Sequence, residues 1–243
     1  MKPFLTVFIP AYNEQENLER SVEVLRAQLT AFPVSYEILI VNDGSQDRTP
    51  ALADELAARY AEVRVQHHPK NLGVGGALQT AIRQARGEWL ILIPADLALE
   101  PGELMRYLEA APQADVVVGL RSDRRDYTPF RRLVSWVNIR LIQLLFGMRL
   151  RQFQYISMYR MAFLRQVRLE CWRSAFFLPE ILIQARDRGL RLVEVEIRYL
   201  PRLSGKPTGA RPSLILRTVY DLFRFWLRWA LARAYHIFFR RFT

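Results

Sequence analysis

The sequence predicts an α/β fold, a mainly parallel sheet flanked by helices, on three observations. Apolar runs alternate with helical patterns through the first 120 residues, the runs are too continuous to leave a wet face, and the alternation ends where the charge balance reverses. The runs at 4–9, 37–41, 63–66, 89–93 and 115–119, rich in Val, Ile, Leu and Phe, read as strands. Between them, 14–29, 49–60, 75–85 and 101–109 carry apolar residues at helical spacing. Such alternation requires crossover connections, and a sheet built this way receives ligands at the carboxyl ends of its strands. Beyond 120, residues 129–148 read as a basic amphipathic helix, 178–188 as a helix closed by Gly189, and 191–199 as a strand. A Gly/Pro/Lys/Arg loop spans 201–212, and the remainder is helical and aromatic. With no internal repeat or low-complexity linker, one domain over 1–211 is expected, divided at 120, followed by an amphipathic tail over 212–243.

Composition narrows the chemistry. Of the 243 residues 51% are hydrophobic, ample for a core, which excludes disorder. The formal charge of +11 is unevenly placed, with −6 over 1–120 and +17 over 121–243. The lone Cys171 excludes an intramolecular disulfide and a multi-cysteine zinc site, and is read as a small packing residue. The opening residues lack a leader pattern, and the longest charge-free run, 71–82, falls short of the roughly 18 residues a spanning helix needs. His67 and His68, adjacent on an extended segment, point to opposite faces and make poor co-ligands. Nucleic acid is not an expected partner, because no recognition motif accompanies the basic stretches.

The strand ends carry the candidate site. The first closes in Ile9-Pro10-Ala11-Tyr12-Asn13-Glu14 and the second in Val41-Asn42-Asp43-Gly44-Ser45-Gln46-Asp47-Arg48-Thr49, while the third leads into Asn71-Leu72-Gly73-Val74-Gly75-Gly76-Ala77-Leu78. A carboxylate at Asp43 can accept a base ring N–H, Glu14 can accept ribose hydroxyls, and Tyr12 can pack on a base. Gly73, Gly75 and Gly76 allow a ligand close to the start of a helix, where N–H groups favour anions. A dinucleotide fingerprint is excluded, because the first strand has no glycine motif.

These three segments, in this order, resemble the signature of family 2 glycosyltransferases, which implies a GT-A (Rossmann-like) fold and a nucleotide-sugar donor. By the resemblance, Pro10, Tyr12, Glu14, Asp43, Gly73 and Ala95 would bind the nucleotide. The fourth motif departs from the family. Where Asp-x-Asp is usual, the chain reads Ile93-Pro94-Ala95-Asp96-Leu97-Ala98, so Asp96 is the remaining metal candidate for Mg2+ or Mn2+, together with the diphosphate and water. Pro94 and Ala98 remove two expected oxygen ligands, which motivates the alternative of a non-catalytic nucleotide-sugar- or lipid-binding relative.

The basic half resembles the dolichol- and polyprenyl-phosphate branch of that family. Val118-Gly119-Leu120-Arg121 is similar to its strand-five end, and Arg131-Arg132-Leu133-Val134-Ser135 to its following helix. Asp96, Arg121, Arg131 and Ser135 are therefore the candidate catalytic set, with Arg131 and Ser135 four apart on one helical face and able to grip one phosphate. Arg202 and Lys206, on the loop after the last strand, are candidates for the donor diphosphate. The segment 151–160 retains no acidic group, but a phosphate acceptor is already anionic and needs no strong general base. The implied activity is inverting transfer of one sugar, from GDP-mannose or a UDP-hexose, to a polyprenyl or dolichyl phosphate. Leu133, Val134, Val137, Ile142 and Leu145 on the basic helix, and the Trp- and Arg-rich tail, suggest peripheral attachment to an anionic membrane surface at its cytoplasmic face. Homo-oligomerisation is a second use for the tail. Its stripe of Arg217, Asp221, Arg224 and Arg228 is left by Arg233, Arg240 and Arg241, which predicts a break near Ala230.

Overall fold

Residues 5, 7 and 9 of the first strand point to one apolar cluster and Phe8 to another, so the sheet is covered on both faces. A computed structural model describes residues 2–97, 99–122, 128–198 and 212–240. The chain runs β1 (Leu5–Ala11), α1 (Leu18–Thr30), β2 (Tyr36–Asn42), α2 (Thr49–Arg59), β3 (Val63–His67), α3 (Gly73–Gln84) and β4 (Trp89–Leu92). It continues with α4 (Leu104–Ala110), β5 (Val116–Arg121), α5 (Pro129–Phe146), β6 (Ser157–Arg160), α6 (Met161–Leu164), α7 (Phe177–Asp187), β7 (Leu192–Ile197) and α8 (Pro212–Arg240).

The strands lie in the order β3-β2-β1-β4-β6-β5-β7. Among the described residues only β6 is antiparallel to its neighbours, so the carboxyl ends of the other six strands share one edge of the sheet. One apolar layer joins α1, α2 and α4 to the sheet through residues such as Leu25, Leu56 and Tyr107. The opposite layer joins α3, α5, α6, α7 and α8 through Leu78, Ile142, Leu164, Ile181 and Leu222. The chain reverses its winding between β1 and β4, the place where such a sheet opens a crevice at its carboxyl edge.

Three sequence expectations change. Strand β6 was not foreseen; it is four residues long and follows an irregular stretch, so its alternation is too short to register. The first helix begins at Leu18 rather than at 14, because Glu14 and Asn17 close a separate turn, with Leu18 N donating to Glu14 O at 2.9 Å. No break occurs near Ala230, since α8 is continuous through Arg240. Arg233 leaves the charged stripe because it meets α7: its guanidinium lies 3.8 Å from Asp187 and 4.8 Å from the Trp229 ring centre.

The apolar residues of α5 and α8 divide between two surroundings instead of forming one face each. Ile142 and Phe146 of α5 are buried, and Leu145 packs against the same layer, whereas Leu133 and Val137 are exposed. On α8, Phe225, Trp226 and Trp229 pack inward. Phe146 meets Phe225 at 5.9 Å and Trp229 at 5.3 Å between ring centres, and Trp226 Nε1 donates to Leu145 O at 3.1 Å. Leu216, Tyr220, Phe223, Leu227 and Leu231 remain exposed along the other side.

Candidate functional site

The pairing of β1 with β2 sets Ala11 opposite Asn42, which brings the two following loops together. Five side-chain bonds lace them, among them Arg48 N donating to Gln15 Oε1 at 3.0 Å. Asn13 N donates to Ser45 Oγ at 3.0 Å, Gln46 N to Asn13 Oδ1 at 2.9 Å and Glu14 N to Thr49 Oγ1 at 2.8 Å. Asp47 accepts from Gln15 N at 3.3 Å across the loops and from Thr49 N at 2.9 Å within its own. Burial opposes its charge, but these bonds, with that of the Thr49 hydroxyl, outweigh it and hold the carboxyl below its usual range. Pro10 is half-buried in this frame, Tyr12 stands exposed on the rim, and the half-buried Glu14 accepts from Asn17 Nδ2 at 2.8 Å.

Asp43 is buried at the centre of the arrangement. Its Oδ1 accepts from Leu72 N at 2.9 Å and its Oδ2 from Gly73 N at 2.7 Å, at the positive end of α3. The N–H groups that the sequence offered to an anionic ligand are, at these two positions, engaged by the protein's own carboxylate. Gly44, with φ of +71°, passes so close that a Cβ would stand 2.5 Å from the Lys70 carbonyl carbon. Gly73 takes φ of +79° with open space around it, as a ligand-facing position requires. Gly75 and Gly76 do not face a ligand. A Cβ on Gly75 would lie 2.0 Å from Trp172 O, and one on Gly76 meets Leu72 and the Trp172 ring, so both are small to let the Trp172 segment cross α3.

The two histidines part as expected. His67 Nδ1 meets Asn42 Nδ2 at 2.9 Å and its Nε2 meets Asp54 at 3.1 Å. His68 Nδ1 meets Asp43 Oδ1 at 2.7 Å, and its Nε2 meets Thr80 Oγ1 at 2.9 Å. Only the β2–β3 register, Asn42 opposite His67, would have revealed this partner of Asp43 in advance.

Next along the edge, β4 leads into a turn closed by Leu97 N donating to Pro94 O at 3.0 Å. Ser21 Oγ of α1 donates to the carbonyl of the buried Ala95, and half-buried Asp96 follows. Leu97 adopts φ of +48°, strained backbone for leucine, which marks a turn held by its surroundings. Pro94 offers no oxygen ligand, and among the described residues no group of three His, Cys, Asp or Glu side chains is placed to hold a metal ion. One carboxylate at a turn fits a divalent cation shared with ligand oxygens and water, not a site the protein builds alone.

Arg121 closes β5 and is buried, its backbone held by Gln152, which accepts from Arg121 N at 3.1 Å and donates to Arg121 O at 3.0 Å. Gln152 carries no sequence signal beyond its place in the 151–160 segment. Arg131 is exposed and Ser135 half-buried on successive turns of α5, whose start is capped by Thr128 Oγ1 accepting from Arg131 N at 3.2 Å. The edge thus gathers Pro10, Tyr12 and Glu14, Asp43, Gly73, Ala95 and Asp96, and Arg121 from consecutive parallel strands, while Arg131 and Ser135 stand on the helix after β5. Ala98, Arg202 and Lys206 lie outside the described residues.

A third missed residue fixes the segment that crosses α3 at Gly75 and Gly76. Glu180, fully buried on α7, accepts from Glu170 N at 2.8 Å and Cys171 N at 2.9 Å, fixing the segment whose Trp172 crosses α3. Burial pushes its carboxyl up to about 7 against those two bonds. Cys171 is a buried packing residue as read, and burial raises its thiol to about 12.

The profile of glycosyl transferase family 2 matches residues 6–172. The chain is 32% identical, over 222 residues, to undecaprenyl-phosphate 4-deoxy-4-formamido-L-arabinose transferase of Edwardsiella ictaluri, covering 90% of this chain and 66% of the relative. It is 27% identical, over 217 residues, to a dolichyl-phosphate beta-glucosyltransferase of Trichomonas vaginalis, covering 81% and 64%. The chain therefore spans just under two thirds of these relatives. Among solved structures it is similar to glucosyl-3-phosphoglycerate synthase of Mycobacterium tuberculosis in complex with Mn2+, UDP and glucosyl-3-phosphoglycerate. That likeness has a TM-score of 0.67 at 17% identity, over 89% of this chain and 77% of the other, and shows the GT-A fold alone.

Glu180 gives a pH signature. Its ordinary carboxyl value is 4.5 and its folded value about 7, so between them the native state holds a proton that the unfolded chain releases. Its contribution to stability is complete below the lower value and is lost as pH rises through the upper one, by on the order of 3 kcal/mol. Chemical denaturation across that window should show the parent losing stability relative to Glu180→Gln; a difference that does not vary with pH contradicts the assignment.

Proposed function

Because the chain belongs to glycosyl transferase family 2, we propose that it transfers one sugar, with inversion, from a nucleoside diphosphate sugar to a polyprenyl or dolichyl phosphate. The observation that carries this reading is the shared carboxyl edge of six parallel strands, bearing Tyr12, Glu14, Asp43, Gly73, Asp96 and Arg121. The names of the two relatives, both transferases of a polyprenyl-type phosphate, support the acceptor class. The sugar is a GDP-mannose or UDP-hexose residue in this proposal.

In the proposed reaction Tyr12 packs on the base, Glu14 takes the ribose hydroxyls and Asp43 accepts a base ring N–H, all from the laced loops after β1 and β2. Pro10 and Ala95 shape the floor of the nucleotide site, and Gly73 leaves room beside it. An acceptor phosphate oxygen forms the new bond to the anomeric carbon as the bond to the donor diphosphate breaks on the opposite side, and the electron pair leaves with the diphosphate. The nucleophile is already anionic, so the protein's task is placement and neutralisation. Arg121, Arg131 and Ser135 hold the acceptor phosphate, and Arg202 with Lys206 the donor diphosphate. Mg2+ or Mn2+, when bound, neutralises charge on the leaving diphosphate, and Asp96 would hold it.

The exposed sides of α5 and α8 supply the proposed membrane contact, peripheral and at the cytoplasmic face. Among the described residues no helix is long and apolar enough to cross a membrane. Phe130, Leu133 and Trp136 on α5 and Phe223, Leu227 and Leu231 on α8 are exposed beside Arg131, Arg132, Arg140, Arg217, Arg224 and Arg228. Apolar side chains flanked by arginines suit an anionic lipid layer. Pairing of two copies through α8 is the other use of that surface.

Two measurements test these readings. Incubation with labelled UDP- and GDP-sugars and polyprenyl phosphate should yield labelled lipid, and Asp96→Ala should lower turnover by about a hundredfold. Binding of a donor without turnover, with or without Mn2+, would instead support the non-catalytic alternative. In vesicle flotation, Phe223→Ser with Leu227→Ser should weaken association with anionic vesicles while the melting temperature stays within a few degrees; unchanged flotation contradicts the α8 contact.

A further inference from the structure

We propose that His68 is a positioning residue of the donor site, holding the Asp43 carboxylate in the orientation that receives the nucleoside base. The inference rests on the donor-site reading of Asp43 and goes beyond it, because neither the motifs nor the proposed reaction uses His68. Three observations carry it.

The first is geometry. His68 Nδ1 lies 2.7 Å from Asp43 Oδ1, and the two side chains are 8% and 5% exposed, so the contact is shielded from water. The same oxygen accepts from Leu72 N, while Oδ2 accepts from Gly73 N. A carboxylate has about four acceptor positions. Among the described residues three are met, two on Oδ1 and one on Oδ2, and the second acceptor position of Oδ2 is the one left for a ligand N–H. His68 therefore selects which oxygen is used.

The second is support from behind. His68 Nε2 lies 2.9 Å from Thr80 Oγ1, and Arg83 donates to that same hydroxyl at 2.9 Å. The imidazole is thus braced at both nitrogens, and its backbone N donates to Asn42 O at 2.8 Å. Rotation of Asp43 would break a bond to a braced ring rather than to a mobile one.

The third is location. The bonds from Leu72 and Gly73 make Asp43 part of the turn that opens α3, so its orientation also sets the backbone of the Gly73 position. Asp43 without His68 would retain two backbone partners and gain freedom about its own side-chain torsion.

The test uses the full chain with His68→Leu, which fills the space without donating, and His68→Asn, whose amide can replace the Nδ1 donor. UDP and GDP are titrated calorimetrically into each, and amide exchange at Leu72 and Gly73 is followed in the ligand-free proteins. The expected result is an affinity about tenfold weaker for His68→Leu. Recovery by His68→Asn and faster exchange at both amides in the leucine variant alone should accompany it. Unchanged affinity and exchange in His68→Leu, with tight binding by the parent, overturns the role of His68 and leaves the donor site standing. A lower melting temperature with unaltered affinity overturns it equally. Faster exchange in His68→Leu when the parent binds neither nucleotide shows that the clamp exists but serves no donor, which overturns both readings.

Discussion

The organisation of the carboxyl edge depends on one buried carboxylate. Asp43 follows directly on β2, and its two oxygens take the first N–H groups of α3 and the Nδ1 of His68. Three successive strand ends meet at that residue: β1 through the Asp43 backbone N bond to Ala11 O, β2 by sequence, and β3 through the carboxylate contact with His68. A buried carboxylate is costly unless its acceptor positions are met, and here two N–H bonds at the positive end of α3 and a third from His68 meet three of them. The close passage of Gly44 over Lys70 and the left-handed backbone of Gly73 follow from the same junction.

A second constraint is that α5 and α8 each serve two surroundings. Helix α8 is anchored inward through the Phe146, Phe176 and Phe225 rings, with Trp229 Nε1 donating to Asp187 at 2.6 Å. Its outer side still presents Leu216, Phe223 and Leu227. The segment carrying Glu170 and Trp172 lies between α8 and α3: Glu170 pairs with Arg228 at 2.6 Å, and Ala175 N donates to Thr218 Oγ1 at 3.3 Å. The surface proposed to meet lipid is therefore built on the same packing that crosses α3 at Gly75 and Gly76.

Much of this was legible in the residues. Continuous apolar runs gave the five strands of the first 120 residues within a residue or two, and the order of the three strand-end motifs led to the family. What was not legible depends on contacts distant in sequence. His68 and Gln152 become meaningful only once the register places them beside Asp43 and Arg121, and Glu180 only once α7 faces the 170–174 segment. Gly75 and Gly76 looked ligand-facing because glycine at a helix start has two explanations, close approach of a ligand or of another backbone, and here it is the backbone of Trp172. The apolar count of α8 could not separate a core-facing side from an exposed one, since the helix carries both.

The central claim is that the laced loops after β1 and β2, joined to the start of α3 by Asp43, form the donor nucleotide site. Photolabelling with an azido-uridine or azido-guanosine diphosphate sugar, followed by peptide mapping, tests it most directly. The account predicts adducts confined to residues 10–14, 43–49 and 71–73 and abolished by excess unlabelled nucleotide. Competable adducts confined to α5 or α8, with none on these three segments, would contradict it.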